Sequence, residues 1–299
     1  RDITSRAITR EVRAGRGAHR DGSPGGPCVY LDLRHICREN IMSRVPFCWE
    51  EAHRLVGVDA VNEPMPIRPT IHYSMGGIPV NTDGQVRSSE NGLVEGFFAA
   101  GESACVSVHG ANRLGSNSLL ECVVYGRRTG ASIARYVENR KLPSIDEQRY
   151  LNEAKQQIQS LLEQPGEYRI DRVRQEFQDA MTDYCGVFRS EELMKQGLEK
   201  VQEIQNKYSQ IYLDDKGSCW NTELIEALEL RNLMIVGEMI MTSAFNRQES
   251  RGAHCREDFT ERDDDKYLKH TLAYYSAAGI DIQYRPVSIT MFEPKERKY

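Results

Sequence analysis

The stretch that decides the fold reads IHYSMGGIPVNTDGQV at residues 71–86 and GFFAAGESACVSVHGANRLGSNSLLECVVYGRRTG at residues 96–130. It contains two short apolar runs, at 78–80 and 97–100, that are typical of buried strands. Glycine and polar residues separate these runs from the helical pattern that follows. This succession predicts a mixed α/β unit that begins near Ile71.

A helix follows the strand pair, capped by Ser116 or Asn117 and running to about Asn139. Its first free N–H groups and the positive end of its dipole, worth roughly half a unit charge, favour an anionic or electron-rich ligand. The backbone amides of Ser118 and Leu119 are the donors at this position. The sequence therefore predicts a phosphate or the carbonyl edge of a cofactor ring at the start of the helix.

Three side chains around this block suggest a binding pocket, and each also has a plainer interpretation. Glu102 is placed like a carboxylate that accepts hydrogen bonds from ribityl or ribose hydroxyls, but it also fits a loop cap. Arg113 offers a planar fork for a small carboxylate, or takes part in a structural ion pair. His72 precedes the Gly76-Gly77 turn, which lets backbone approach a ligand, although a histidine beside a tyrosine is more often a packing residue. Together they indicate a small anionic substrate beside a nucleotide cofactor.

Other residues that often carry chemistry have structural interpretations here. His109 is open to the same packing interpretation as His72, and we interpret His254, in the ESRGAH run, as part of an inter-domain hydrogen-bonding turn. The eight cysteines form no CxxC pair. Their spacing therefore predicts reduced, structural thiols and no metal site.

The region before Ile71 is mixed. A short helix or strand is expected at 8–12, a flexible glycine-rich loop at 15–26 and a strand at 29–33. Prolines at positions 64, 66 and 69 mark a domain junction, because proline removes a backbone donor and restricts the residue before it.

The region after Pro143 has helical periodicity. Three successive segments each have apolar residues at helical spacing, and a fourth helix is expected from Asn221 to about Arg247. Together they predict a helical bundle. The closing segment is charged and then alternates around 280–289, as a small appendage of strands would.

Composition restricts the classes of function. The 299 residues carry a net charge of −5 and their basic residues are scattered, which argues against nucleic acid as a partner. No run reaches the ~18 uncharged apolar residues of a membrane-spanning helix, so membrane association would require a partner subunit. The chain starts at Arg1 with no methionine or targeting core, so we expect a fragment or an interior segment.

Several long motifs in this order resemble one family. HYSMGGIPV, GFFAAGESACVSVHGANRLGSNSLLE, VYGRRTG, ESRGAHCRED, ERDDDKYLKHTLAYY and the closing ERKY (296–299) are similar to the flavoprotein subunit of succinate dehydrogenase and fumarate reductase. The resemblance covers essentially the whole chain and corresponds to the later half of such a subunit. L-aspartate oxidase has similar HGANR and SNSLLE segments, but VDAVNEPMPIRPTIHY and LKHTLAYY favour the dicarboxylate enzymes.

The resemblance implies an α+β multidomain fold with four parts. Residues 1–70 would be part of a capping domain, and 71–142 the C-terminal part of a Rossmann-like FAD-binding domain. Residues 143–255 would form a helical bundle domain, and 256–299 a small C-terminal domain.

The resemblance also implies roles for residues. His72 and Arg113 would bind a carboxylate of succinate or fumarate, and Glu102, Ser118 and Leu119 would contact FAD. Arg1, in an Arg-Asp-x-x-x-Arg pattern, matches the arginine that transfers a proton from the capping domain. The chemistry would be hydride exchange with FAD at one substrate carbon and proton exchange at its neighbour.

The family also implies partners. An iron-sulfur subunit would carry electrons from the flavin towards membrane anchor subunits and quinone, which places the chain peripherally on the matrix or cytoplasmic face of an energy-conserving membrane. The GxGxxG unit that holds the FAD pyrophosphate is absent from this chain. We therefore expect the chain alone to be inactive, and either a companion chain to supply the N-terminal half or the chain to be part of a truncated or split subunit. The alternative from a different class is a non-catalytic assembly fragment that binds the iron-sulfur partner.

Overall fold

A computed structural model describes residues 2–18, 27–88, 92–138, 140–141 and 143–295. Three sequence predictions fall wholly or partly outside these residues: the role of Arg1, most of the glycine-rich loop, and the closing segment 296–299. The chain divides into two compact units, one ending at His72 and the other beginning at Tyr73. The four-domain division remains a prediction.

The first unit joins short helices to a two-stranded sheet. Its elements are α1 (Asp2–Glu11), a π-helical turn (Val12–Arg16), β1 (Val29–Leu31), α2 (Arg38–Arg44), α3 (Pro46–Val56) and β2 (Met65–Ile67), with β1 antiparallel to β2. The segment 8–12 is therefore helical, and the strand predicted at 29–33 ends two residues early. Pro66 does not break regular structure as expected, because it lies within β2 opposite Tyr30. A strand of a two-stranded sheet pairs on one side only, so it tolerates proline.

The second unit begins with the α/β block. Its elements are β3 (Ile78–Pro79), β4 (Gln85–Arg87), β5 (Leu93–Phe98), a 3₁₀ turn (Gly101–Ser103), β6 (Ala104–Cys105) and α4 (Asn117–Val137). β3 pairs with β6 in parallel, and β4 with β5 in antiparallel. The strand predicted at 97–100 is displaced, because β5 starts at Leu93 and ends at Phe98. A small core of Val80, Val86 and Ala104 lies between the strands.

Helix α4 has close to its predicted bounds but differs on its apolar face. It spans Asn117–Val137 with Ser116 at the N-cap position, although the Ser116 side chain makes no capping bond. Leu120, Val123 and Val124 have the expected helical spacing but are exposed, whereas Glu121, Thr129 and Ser132 are buried.

The predicted helical bundle is present, although on the apolar face predicted for its first helix Leu151 and Ile158 are exposed. Its helices are α5 (Glu147–Glu163), α6 (Ile170–Cys185), α7 (Glu191–Tyr208) and α8 (Thr222–Asn246), and the short parallel strands β7 (Tyr168–Arg169) and β8 (Ile211–Tyr212) lie beside them. Asp146, Ser190 and Asn221 cap α5, α7 and α8 with side-chain oxygens, as short polar residues do at helix starts. The largest core of the described residues lies here and includes Val173, Phe177, Met194, Ile204, Leu230 and Met241.

The chain closes with α9 (Asp264–Tyr267) and a hairpin of β9 (Lys269–Ser276) and β10 (Gly279–Pro286). The predicted strand-bearing appendage is therefore confirmed, although its second strand spans 279–286 rather than 280–289. Within the described part of the chain, every helix is too short or too polar to cross a membrane.

The turn predicted around His254 is hydrogen-bonded as expected, and its inter-domain placement remains a prediction. The backbones of Arg251 and His254 exchange two hydrogen bonds, with N···O distances of 2.8 and 3.0 Å. The His254 ring accepts from Arg189 through Nδ1 at 2.9 Å, and Nε2 lies 2.9 Å from the Arg247 carbonyl oxygen. A neutral imidazole with its proton on Nε2 satisfies both contacts.

Burial lowers the pKa of His254 to about 4, aided by repulsion from Arg189, Arg256 and Arg247. Because the imidazole binds a proton more readily in the unfolded chain, the free energy of unfolding should fall as the pH drops from about 6.5 to 4. A shift of this size corresponds to about 3 kcal/mol. Urea unfolding at a series of pH values measures it, and His254→Gln should flatten the dependence in that window. An unchanged slope in the variant would contradict this assignment.

Candidate functional site

The segment that carries Arg113 is the arginine loop, defined as residues 107–116, between β6 and α4. Ser107 and Ser116, at its two ends, have positive φ angles of 74° and 66°, and Gly110 has a φ of 59°. Non-glycine residues rarely adopt this conformation, and it persists where surrounding contacts enforce it. Contacts with the surrounding structure therefore maintain the strained backbone of this loop.

Tyr73, the buried Glu121 and the loop's own His109 form a cluster. The Tyr73 hydroxyl donates to Glu121 Oε2 at 2.5 Å, and His109 Nε2 lies 2.5 Å from the same oxygen. The Tyr73 and His109 rings meet edge to face with their centroids 5.3 Å apart. One carboxylate oxygen on α4 thus joins the loop to the segment that begins the second unit.

Burial raises the pKa of Tyr73 well above its usual range, and the hydrogen bond to Glu121 adds to the effect. The phenol therefore stays protonated and acts as a hydrogen-bond donor at any physiological pH. His109 Nδ1 is buried and has no hydrogen-bond partner among the described residues.

Arg113 lies above this cluster. Its side chain is buried, with 5% exposure of the residue, and its guanidinium carbon lies 4.8 Å from the centroid of the Tyr73 ring. Nη1 donates to the Leu114 carbonyl oxygen at 3.2 Å. A guanidinium over an aromatic face is attracted to the electron-rich ring, which helps to hold it in position. This geometry suits the recognition of a carboxylate.

Glu102 lies in the 3₁₀ turn and is exposed. Its Oε1 accepts a hydrogen bond from the Ser74 backbone N–H at 2.9 Å. This contact is the loop-capping role that the sequence left open as one alternative. The contact to FAD hydroxyls that the resemblance implies remains a prediction for the same carboxylate.

The two glycines of the Gly76-Gly77 turn have different surroundings. Both have positive φ angles, 109° and 114°. A Cβ on Gly77 would lie 2.5 Å from the Ser103 carbonyl oxygen, so this glycine permits a close approach within the fold rather than to a ligand. A Cβ on Gly76 would meet no described atom within 4 Å, so of the two glycines Gly76 is the one that a ligand could approach closely.

The start of α4 leaves one of the two predicted amides available. The Leu119 N–H donates to the Ser116 carbonyl oxygen at 3.1 Å, whereas the Ser118 N–H has no recorded acceptor in the part of the chain that is described. A helix N-terminus with an available N–H, close in sequence to exposed polar turns, fits an anionic and hydroxyl-rich cofactor. The two amides remain predicted FAD contacts, with Ser118 the more accessible donor.

The remaining predicted site residues lie in the first unit. His72 is its last residue; it is exposed, and its ring has no hydrogen-bond partner among the described residues. Arg1 lies outside the described residues. The predicted substrate roles of His72 and Arg113 are therefore predictions about two different units.

Sequence reasoning missed Tyr73 and Glu121. The available signal was an acidic residue within an otherwise apolar run, LLECVV at 119–124, near the start of a helix. A buried carboxylate in such a run requires partners, and the adjacent HYSMGG and HGANR motifs contain them.

Comparison with known proteins gives two family matches. Residues 1–119 match a model described as an FAD binding domain, and residues 174–299 match one described as fumarate reductase flavoprotein C-term.

Curated relatives agree with these matches. The succinate dehydrogenase flavoprotein subunit of Rickettsia felis is 41% identical over 97% of this chain and 49% of its own length. The fumarate reductase flavoprotein subunit of a Serratia species is 41% identical over 100% of this chain and 49% of its own length. The chain thus spans about half the length of the curated relatives that it matches.

Solved structures agree as well. A variant of the E. coli quinol fumarate reductase superposes with a TM-score of 0.88 and 38% identity, covering 99% of this chain and 50% of the other. Adenylylsulfate reductase of Archaeoglobus fulgidus, at 15% identity and a TM-score of 0.67, shares the fold alone.

Proposed function

Because this chain belongs to the family of succinate dehydrogenase and fumarate reductase flavoprotein subunits, we propose that it takes part in interconverting succinate and fumarate with FAD as cofactor. The observation that carries the proposal is the buried Arg113 guanidinium over the Tyr73 ring. The relatives carry both enzyme names, so the proposal covers both directions of the reaction. These names do not favour L-aspartate oxidase.

The proposed chemistry assigns the substrate to Arg113 and His72. When bound, FAD supplies the hydride acceptor or donor for one substrate carbon. Arg113 binds a carboxylate through its planar fork, and His72 is the second residue proposed to bind a substrate carboxylate. Donors fixed before substrate arrives stabilise charge that develops in the transition state without further reorganisation.

Arg1 is proposed to exchange the proton at the neighbouring carbon. A guanidinium has a pKa above about 12 and rarely releases a proton, so this role requires immediate reprotonation by a relay of carboxylates. Arg1 and His72 both belong to the stretch that matches the FAD binding domain model.

FAD is proposed to lie against Glu102 and the start of α4. The exposed Glu102 carboxylate would accept from cofactor hydroxyls, and the Ser118 and Leu119 amides would face the ring. The bond from Leu119 to Ser116 makes Leu119 the weaker donor of the two.

The exposed face of α4 supports a companion segment that completes the FAD-binding domain. Leu119 and Val123 are 71% and 70% exposed, and Phe97 on β5 is 49% exposed. Exposed apolar side chains that lie close together, as on this helix and the neighbouring strand, indicate an interface. Parallel strands such as β3 and β6 are normally covered on both faces, so further strands and helices are expected here. We propose that the GxGxxG-bearing half packs on this surface.

Electrons are proposed to pass to an iron-sulfur subunit and then to membrane anchor subunits and quinone. In this arrangement the chain lies peripherally on the matrix or cytoplasmic face of an energy-conserving membrane. One of the matching structures is titled a quinol-fumarate reductase with menaquinol molecules, at 38% identity and a TM-score of 0.85.

Flavin retention tests the need for the companion half. The purified 299-residue chain, mixed with FAD and passed through a desalting column, should retain little flavin, because the pyrophosphate-binding half is supplied elsewhere. Co-expression with the N-terminal half of a related subunit should restore retention and succinate-dependent dye reduction. Tight stoichiometric binding by the isolated chain would contradict the companion-half proposal.

A further inference from the structure

The ESRGAHCR turn, defined as residues 249–256, contacts the arginine loop directly. The Ala253 N–H donates to the Ala111 carbonyl oxygen at 2.9 Å. Gly252 has a φ of 59°, and a Cβ built there would lie 2.6 Å from both the carbonyl carbon and the oxygen of Ala111. Because real Cβ atoms essentially never approach backbone this closely, glycine is the residue that fits while Ala111 keeps its position.

The turn that makes this contact is rigid. Glu249 is fully buried and accepts hydrogen bonds from Arg251 at both carboxylate oxygens, at 2.7 and 2.9 Å. Arg256, also fully buried, donates to the carbonyl oxygens of Ala244 and Phe245 at the end of α8. The end of the bundle thus fixes the backbone against which Ala111 rests.

A second contact holds the start of the same loop. The Ser107 hydroxyl and His270 Nε2, on β9, lie 2.8 Å apart. Ser107 has the strained φ of 74° noted above, and this hydrogen bond from the hairpin helps to maintain that conformation. The loop is therefore restrained two residues before Arg113 by the turn, and six residues before it by the hairpin.

We propose that the ESRGAHCR turn, through Gly252 and Ala253, together with His270, positions the arginine loop so that Arg113 meets the substrate carboxylate at the correct distance. This inference rests on the proposed function of Arg113. Gly252, Ala253 and His270 are positioning residues, since none of them is placed against substrate. Their effect reaches the substrate only through the backbone at Ala111 and Ser107.

The expected consequence of moving the loop is a loss of alignment. A methyl group at position 252 would have to displace Ala111 by roughly half an ångström or more to restore a normal contact. Displacements of about 1 Å at a substrate-positioning group cost on the order of 100-fold in rate. Because the displaced group is the proposed carboxylate-binding Arg113, we expect part of this loss as weaker substrate binding, with Gly252→Ala raising KM for succinate at least about tenfold.

Gly57 provides a matched control. It has a φ of 64°, close to that of Gly252, but a Cβ there meets no described atom within 4 Å. Gly57→Ala therefore introduces the same backbone strain without the clash. Both variants should be made in the assembled enzyme that contains this chain, with KM, kcat, bound FAD and the Tm shift caused by malonate measured for each.

Gly252→Ala should raise KM and reduce the malonate-induced Tm shift while bound FAD is unchanged, and Gly57→Ala should leave all three quantities as in the parent. Equal KM values in the two variants would overturn the inference. If Gly252→Ala does not assemble, His270→Ala tests the inference instead. His270→Ala should raise KM about threefold to tenfold, and His270→Gln should return KM to the parent value. An unchanged KM in His270→Ala would then overturn the inference.

Arg113→Lys separates this inference from the proposed function. If Arg113→Lys leaves KM and turnover unchanged, the proposed function fails. If Arg113→Lys lowers turnover but Gly252→Ala behaves like Gly57→Ala, only the positioning role fails.

Discussion

Replacing Arg113 with lysine is expected to lower kcat/KM for succinate by about 100- to 1,000-fold in the assembled enzyme. Lysine keeps the positive charge but provides a point donor instead of a planar fork, so it cannot bind a carboxylate in a bidentate way. It also loses the cation–π contact of the Arg113 guanidinium, whose carbon lies 4.8 Å from the centroid of the Tyr73 ring. Steady-state succinate oxidation with an artificial electron acceptor measures the change.

Arg128→Lys is the matched control for this prediction. Arg128 lies on α4, is largely exposed and pairs with Asp83 at 3.0 Å. Its replacement should leave turnover unchanged, because exposed ion pairs contribute little. Both variants should assemble and retain FAD as the parent does. Unchanged turnover in Arg113→Lys would instead support the non-catalytic assembly fragment.

The helical bundle was predictable because its sequence signals are local. Apolar residues of α6 and α7 recur at helical spacing and face one core, and short polar residues at 190 and 221 cap the helices that follow them. Spacing and capping chemistry both act within a few residues. They therefore remain visible in a single sequence.

The α/β block was predicted less accurately because its contacts are distant in sequence. The displaced start of β5 depends on pairing with β4, and the buried face of α4 is polar at Glu121 and Thr129 while its apolar residues are exposed. Periodicity alone assigns the apolar side of a helix to the core. That rule fails where the apolar side packs on a further segment, as we propose for α4.

The candidate site shows the same distinction. The motifs that contain Arg113 and Glu102 could be recognised in the sequence, but the residues that contact them in the fold could not be predicted. Tyr73 meets Glu121 across 48 positions of sequence, and Ser107 meets His270 across 163. The positive φ angles of Ser107 and Ser116 likewise carry no signal in residue type, since serine is not a residue that favours this region.

Glu249→Gln is expected to lower the free energy of unfolding by about 3 to 5 kcal/mol. The Glu249 carboxylate is fully buried and contacts two arginines, at 2.9 Å from Arg247 Nε and 2.7 Å from Arg251 Nε. It also accepts from the Asp263 backbone N–H at 2.9 Å. Glutamine has nearly the same shape, so the substitution removes the charge with little change in packing. Two largely buried guanidinium groups would then lack their shared counter-charge, which is the costly way to break a buried ion pair.

Urea unfolding at pH 7 measures this loss, with Glu153→Gln as its control. Glu153 pairs with Arg149 at 2.9 Å on the exposed surface of α5, so its replacement should cost less than about 0.5 kcal/mol. A loss below about 1 kcal/mol in Glu249→Gln would mean that Arg251 is neutralised by its second partner, Asp264, at 2.6 Å. A large loss would instead make Glu249 the residue that holds the ESRGAHCR turn together. In that case Glu249 also fixes the backbone against which Ala111 rests, whereas after a small loss the Arg251–Asp264 pair would be the contact that holds the turn.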